Sequence, residues 1–200
     1  MKVLACASCL FFVLLAHTSP ANAQSEQADV QSLVAEQADT SVELAQKLWN
    51  WAELGYQEGK SSAALQRYLA DAGFKVEAGV ADIPTAFVAS YGSGGPTIGI
   101  LAEFDALPGL SQDASSARSP LVVDGAGHAC GHHLFGSASA SAGVAISAWL
   151  QARDVQATIK VFGTPAEEGG SGKVYLARAG LFDDVDVVLH WHPGSSNSAS

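Results

Sequence analysis

The sequence predicts an α/β fold, a sheet of short apolar strands covered on both faces by helices. Two observations carry this. Segments with apolar residues at helical spacing alternate along the chain with short β-type runs. At 200 residues and 48% hydrophobic content, the chain also suits a single domain with a substantial core.

Taken in order, Leu44, Leu48, Trp51 and Ala52 recur at helical spacing and predict a helix over 42–54, with Gly55 to stop it. A second helix is expected over 61–72, ended by Gly73. Three β-type runs follow at 74–76, 85–91 and 97–102, the last two joined by the turn Gly92-Ser93-Gly94-Gly95-Pro96. The small, apolar stretch 134–150 suits a buried helix. Runs at 158–162 and 185–189 read as buried strands, with a helix over 172–179 between them.

The termini read differently. Met1-Lys2 followed by an apolar run to Ala16, then Ala21 and Ala23, has the form of a secretory signal cleaved before Gln24. The apolar run is shorter than the roughly 20 residues a bilayer span needs, so no stable membrane anchor is expected. Residues 24–40 are polar and Ala/Gln-rich and are expected as a loose lead-in; residues 195–200 are polar and read as a domain boundary. Net charge is -10, and the ten basic residues are scattered, which argues against a nucleic-acid partner.

Removing residues 1–23 takes Cys6 and Cys9 with it and leaves Cys130 alone, so no internal disulfide can form. That thiol is buried and inert, reactive, or a metal ligand. Its neighbours favour the last. The five remaining histidines fall in two clusters, Gly127-His128-Ala129-Cys130-Gly131-His132-His133 and His190-Trp191-His192. Between them lies Thr164-Pro165-Ala166-Glu167-Glu168-Gly169-Gly170, and upstream lies Ala102-Glu103-Phe104-Asp105-Ala106-Leu107-Pro108. All four segments sit at or just beyond the ends of apolar runs, where the loops of an open α/β sheet converge on one crevice. A thiolate, imidazoles and carboxylates meeting there suit a borderline-soft divalent metal such as zinc. In the acidic pair, one carboxylate can ligate while its neighbour takes a proton from water whose pKa the metal lowers toward ~7.

These four motifs, with Trp51-Ala52-Glu53-Leu54-Gly55-Tyr56-Gln57-Glu58, resemble the M20 metallopeptidase/amidohydrolase family, in its aminobenzoyl-glutamate utilization protein B-like branch. The resemblance implies a zinc-exopeptidase-like catalytic domain with a mixed sheet sandwiched by helices, whose N-terminal part spans residues 41–194. It implies metal ligation by Cys130, His132, Glu168 and His190, with His192 the competing choice two positions on. Glu167 would be the general base and Asp105 the carboxylate that orients a ligand or the base. His128 would shape the loop. His133 stands where the family carries Asp or Asn, so its role departs from the pattern.

The same resemblance implies a hydrolase using one or two Zn or Mn ions to cleave an N-acyl amino acid of aryl-acyl glutamate type, in a secreted or periplasmic protein. A dipeptidase or carboxypeptidase with the same site is the alternative. Family members carry a lid and dimerisation domain beyond the His190 region, through which they homo-oligomerise. The chain is therefore expected to be truncated before that lid, and an inactive remnant is a further alternative.

Overall fold

The computed structural model describes residues 20–196 and 198. The leader expected over 1–23 lies outside the described residues up to position 19. The first described element, α1 (Pro20–Glu36), covers most of the stretch expected to be loose. Its Ala-, Gln- and Glu-rich composition favours helix, and tertiary packing fixes it. α1 lies against the long central helix α4 (His132–Arg153), whose Arg153 pairs with Asp29 and, at 3.8 Å, with Glu26. Among the described residues, no helix is long and apolar enough to cross a membrane.

The sheet has five strands: β1 (Lys75–Ala78), β2 (Phe87–Gly92), β3 (Thr97–Ala102), β4 (Thr158–Gly163) and β5 (Val187–Leu189). Their spatial order is β1-β2-β4-β3-β5. β1 and β2 run antiparallel to their neighbours, whereas β4, β3 and β5 are mutually parallel. The sheet is therefore mixed, and its parallel half sends three carboxyl ends to one edge. Ala102 is in register with Gly163, and Ile100 with Leu189. The chain just beyond these three ends supplies the acidic and histidine motifs.

Period-2 alternation divides the strands between two layers of core. Phe87, Ala89, Ile100, Ala102, Ile159 and Val161 face the cluster formed with α2 (Ala38–Trp51), α3 (Gly59–Asp71) and α4. Val88, Leu101 and Phe162 face the opposite way, onto Leu176 of α6 (Gly172–Arg178), Val80 of a short 3₁₀ turn (Val80–Asp82) and Ile83 just after it. Both faces are covered, as an α/β sheet requires.

β5 departs from expectation. Val187, Val188 and Leu189 are each about half exposed rather than buried. The strand is one of the two at the edges of the sheet and bonds only to β3, so among the described residues its other edge is unpaired.

Candidate metal centre

The site grows from the residues that follow β3. Glu103, Phe104 and Asp105 continue its alternation, and both carboxylates are almost fully buried. Between them lies the ring of His132, the first residue of α4, which has no solvent exposure at all. Its Nδ1 lies 2.9 Å from Asp105 Oδ1 and 3.1 Å from the Asp105 carbonyl oxygen. On the far side of the ring, Nε2 lies 3.0 Å from Glu103 Oε2. The second Asp105 oxygen, Oδ2, accepts the backbone N–H of Glu168 at 3.0 Å. One carboxylate thus ties the start of α4 to the turn beyond β4.

That turn is the four-residue helix α5 (Glu167–Gly170), entered through Ala166 at φ 55° and ψ 42°. It brings Glu167 Oε2 to 3.9 Å and Glu168 Oε1 to 4.0 Å from His132 Nε2. From the other side comes Cys130, whose Sγ lies 3.4 Å from His192 Nε2. Gly131 makes that meeting possible. It has φ 84°, and a Cβ there would stand 2.9 Å from Pro193 Cγ, so only glycine lets the two loops touch.

Among the described residues two donor sets result, both using His132. Ligand atoms of Cys130, His132 and His192 lie within 4.8 Å of one another, and so do those of Glu103, His132 and Glu167. Glu168 Oε1 is buried without a hydrogen-bond partner, and His132 Nε2 and Glu103 Oε2, though 3.0 Å apart as an ion pair, are not aligned as a hydrogen bond and have no other partner. Buried polar atoms are seldom left unpaired, because each has given up its water. Three such atoms converging beside a thiol and a second imidazole fit a divalent cation of mixed S/N/O preference.

In the metal-free chain, protons do part of that work. Burial disfavours a charged His132, yet the flanking carboxylates of Asp105 and Glu103 outweigh it and push the imidazole up to about 10. Burial likewise opposes charge on Glu103, but His132 and Lys173 hold that carboxyl down at about 2. Asp105 is lowered too, against its burial, by His132 and the Glu168 N–H. Burial, with Glu168 next and then the charges of Glu167 and Glu103, raises the Cys130 thiol to about 11. A cation would replace these protons, since thiolate and imidazole ligate only when deprotonated.

The sequence-predicted residues Asp105, Cys130, His132, Glu167 and Glu168 are brought together. His190, favoured over His192 from the sequence, is not among the converging ligand atoms. Its Nε2 lies 3.3 Å from Glu103 Oε1, and His192 takes the place beside Cys130. The intervening Trp191 donates its Nε1–H to Ser139 Oγ at 3.0 Å, pinning the segment to α4. Rings of His190, Trp191 and His192 all pack edge-on around Phe135. His128 is buried with Nε2 3.1 Å from the Leu48 carbonyl oxygen, a loop-shaping contact. His133 sits apart, against Trp49 and His128 at ring distances of 4.9 and 5.1 Å.

Sequence reasoning passed over two residues. Glu103 approaches His132, His190 and Lys173 at once, and the Lys173 ammonium neutralises it from α6. The signal for Glu103 was available, because a carboxylate two positions before Asp105 on an extended chain shares its face. Nothing local marks Lys173.

A Cys/His/Glu cluster at the carboxyl ends of the parallel strands of a mixed α/β sheet is a candidate metal centre, and the sequence comparisons give its family. The chain belongs to peptidase family M20/M25/M40, which residues 99–200 match. It is 45% identical over 152 residues to a p-aminobenzoyl-glutamate hydrolase subunit of Escherichia coli, covering 76% of this chain and 32% of that one. It is 33% identical to the Xaa-Arg dipeptidase of Mus musculus, covering 82% of this chain and 38% of the relative. The chain thus spans about a third of the length of these two relatives.

Among solved structures, the fold is shared with an aminobenzoyl-glutamate utilization protein from Klebsiella pneumoniae. The TM-score is 0.61 at 18% identity, over 83% of this chain and 46% of the other. It is shared too with a dinuclear metal-binding M20 peptidase from Bacillus subtilis, at TM-score 0.58 and 24% identity, over 81% and 42%.

Proposed function

We propose that this chain forms the metal-holding, proton-transferring part of an amidohydrolase that cleaves an N-acyl amino acid of aryl-acyl glutamate type. One observation carries the reading: Cys130 from the loop before α4, Glu167 and Glu168 from beyond β4, and His192 from beyond β5 all converge on the buried imidazole of His132. The 45% identity to a p-aminobenzoyl-glutamate hydrolase supports the substrate class.

Cys130, His132, Glu168 and His192 would hold the cation. One or two Zn or Mn ions bound there supply Lewis-acid polarisation of the amide carbonyl and a lowered pKa for attacking water. Glu167 is the acid–base group. It stands at the open side of the cluster with its side chain 40% exposed, so it can reach water and substrate. It accepts the proton from the attacking water and hands it to the departing amine nitrogen as the C–N bond breaks. Asp105 keeps His132 oriented and favours the proton on Nδ1, which would leave Nε2 free to hold a cation. Glu103, neutralised by Lys173, lines the same wall.

The test is hydrolysis of p-aminobenzoyl-glutamate beside Xaa-Arg dipeptides, with Zn²⁺, Mn²⁺ or Co²⁺ added. Preferential release of p-aminobenzoate is expected; preferential dipeptide cleavage would transfer the chain to the dipeptidase class. A Glu167→Gln variant should keep its metal and lose turnover by about 10²–10⁴-fold. Full turnover in that variant overturns the assignment of the base. The leader over residues 1–23 belongs to the same proposal, as the signal for export to the periplasm or beyond. Mass analysis of the mature N-terminus, expected at Gln24, tests it.

A further inference from the structure

Glu58 is fully buried, 0% exposed, and no step of the proposed mechanism uses it. It lies just before α3, far in sequence from every motif residue of the centre. Its two oxygens are both engaged. Oε1 accepts the backbone N–H of Ala166 at 2.8 Å, and Oε2 accepts the Thr85 hydroxyl at 3.0 Å. Thr85 is held in turn, since its carbonyl accepts the Ser62 hydroxyl at 2.8 Å.

The first of these bonds falls at a telling place. Ala166 is a non-glycine residue in the left-handed region, at φ 55°, and it immediately precedes the acid–base pair Glu167-Glu168. Such a conformation persists only where its surroundings impose it. The surroundings here are the turn leading to Glu58. A Cβ on Gly55 would stand 3.0 Å from Ala166 Cα, and the Tyr56 hydroxyl donates to the Gly170 carbonyl at 2.5 Å. The same turn is fastened to the strand end that bears Asp105, through the Ala106 N–H bonded to the Glu53 carbonyl at 2.8 Å.

We infer that Glu58 is a positioning residue for the Glu167-Glu168 pair, its buried carboxyl holding the Ala166 N–H so that the left-handed turn aims both carboxylates at His132. Without an acceptor at Oε1, the Ala166 N–H is stranded in the interior, and the turn relaxes toward a right-handed conformation that satisfies it elsewhere. Glu167 and Glu168 then leave their stations 3.9 and 4.0 Å from His132 Nε2. The inference rests on the proposed metal centre for its consequence, but not for its geometry.

Two variants of matched length separate acceptance of this bond from mere filling of space. Glu58→Gln keeps an oxygen for Ala166, and its NH₂ can donate to a Thr85 hydroxyl that rotates to accept. Glu58→Met fills the volume and accepts nothing. Hydrogen exchange over residues 164–172 of the metal-free chain is the first readout. Glu58→Gln should stay within about twofold of wild type, and Glu58→Met should exchange there at least about tenfold faster while the β3 and β4 amides are unchanged. Co²⁺ titration, followed by its visible absorption, is the second readout. Glu58→Met should weaken binding by about 10–100-fold, and Glu58→Gln should restore it.

Equal exchange in Glu58→Met and wild type overturns the inference. So does equal loss in both variants, which would mean that the charge matters and not the hydrogen bond. If Glu58→Met fails to fold, Thr85→Val, which removes only the support on Oε2, must still speed exchange at 164–172. Failure of wild type to bind Co²⁺ would sink the metal centre, and the exchange experiment would still decide the role of Glu58.

Discussion

Asp105 and His132 form the pivot of the centre. Oδ1 of the carboxylate stands 2.9 Å from Nδ1 of the ring, and its other oxygen holds the Glu168 N–H at 3.0 Å. The single side chain therefore holds the His132 ring and the backbone of Glu168 at once, two of the proposed ligands.

Replacing Asp105 by Ala should weaken Zn²⁺ or Co²⁺ binding by about 10–100-fold, the usual cost of losing the partner that orients a ligand. Asn should do little better, because its amide can satisfy only one of the two donors with an oxygen. Isothermal titration of the two variants against wild type measures this. Unchanged affinity in both would show that His132 needs no such support.

His192 and His190 can be told apart by the same titration. His192→Ala should lose at least about tenfold in Co²⁺ affinity and the charge-transfer absorption of a thiolate-ligated ion should change, because a direct ligand is gone. His190→Ala should keep the affinity within a few-fold. The reverse result would return the ligand role to His190.

Stability of the metal-free chain should peak near pH 6.5, the usual value for histidine. The sign follows from the protons each state binds. Burial lowers His128 and His133 to about 4 each, so between pH 4 and 6.5 the unfolded chain binds more protons there and stability rises with pH. His132 is raised to about 10, so above pH 6.5 the folded chain holds a proton that the unfolded chain has lost, and stability falls. Glu103, held at about 2, adds a further loss as acid reaches the carboxylate range. Thermal melting between pH 4 and 10 checks this, and bound metal should flatten the alkaline limb by replacing the His132 proton. A melting temperature that rises steadily to pH 9 without metal would contradict the buried imidazolium.

Gly131→Ala should destabilise the fold by about 1–3 kcal/mol, through left-handed strain and collision with Pro193. Urea denaturation reads the loss. Metal affinity should fall with it, since the substitution pushes Cys130 and His192 apart.

Much of this protein was readable along the chain. β3 begins and ends where its apolar run does, at Thr97–Ala102, because a strand buried on both faces must be apolar throughout. The motifs around Asp105, Cys130 and Glu167 stood out as one candidate site, since thiol, imidazole and carboxylate groups are otherwise uncommon together in such loops. α1 was misjudged because its helicity depends on packing against α4 and on Arg153, over a hundred residues away. The exposure of β5 depended on which strand stands outermost, and an apolar run carries no record of its neighbours.

The amino-acid order by itself determined the alternation of helices and strands, the family and the set of candidate ligands. Only the tertiary structure decided which of them meet. His190 and His192 are two residues apart, a spacing at which strand periodicity assigns both to one face and cannot choose. The choice came from Trp191 bonded to Ser139 and from Gly131 seated on Pro193. Glu58 and Glu103 took their places for the same reason: hydrogen bonds and charges act through space, between residues that the chain does not place side by side.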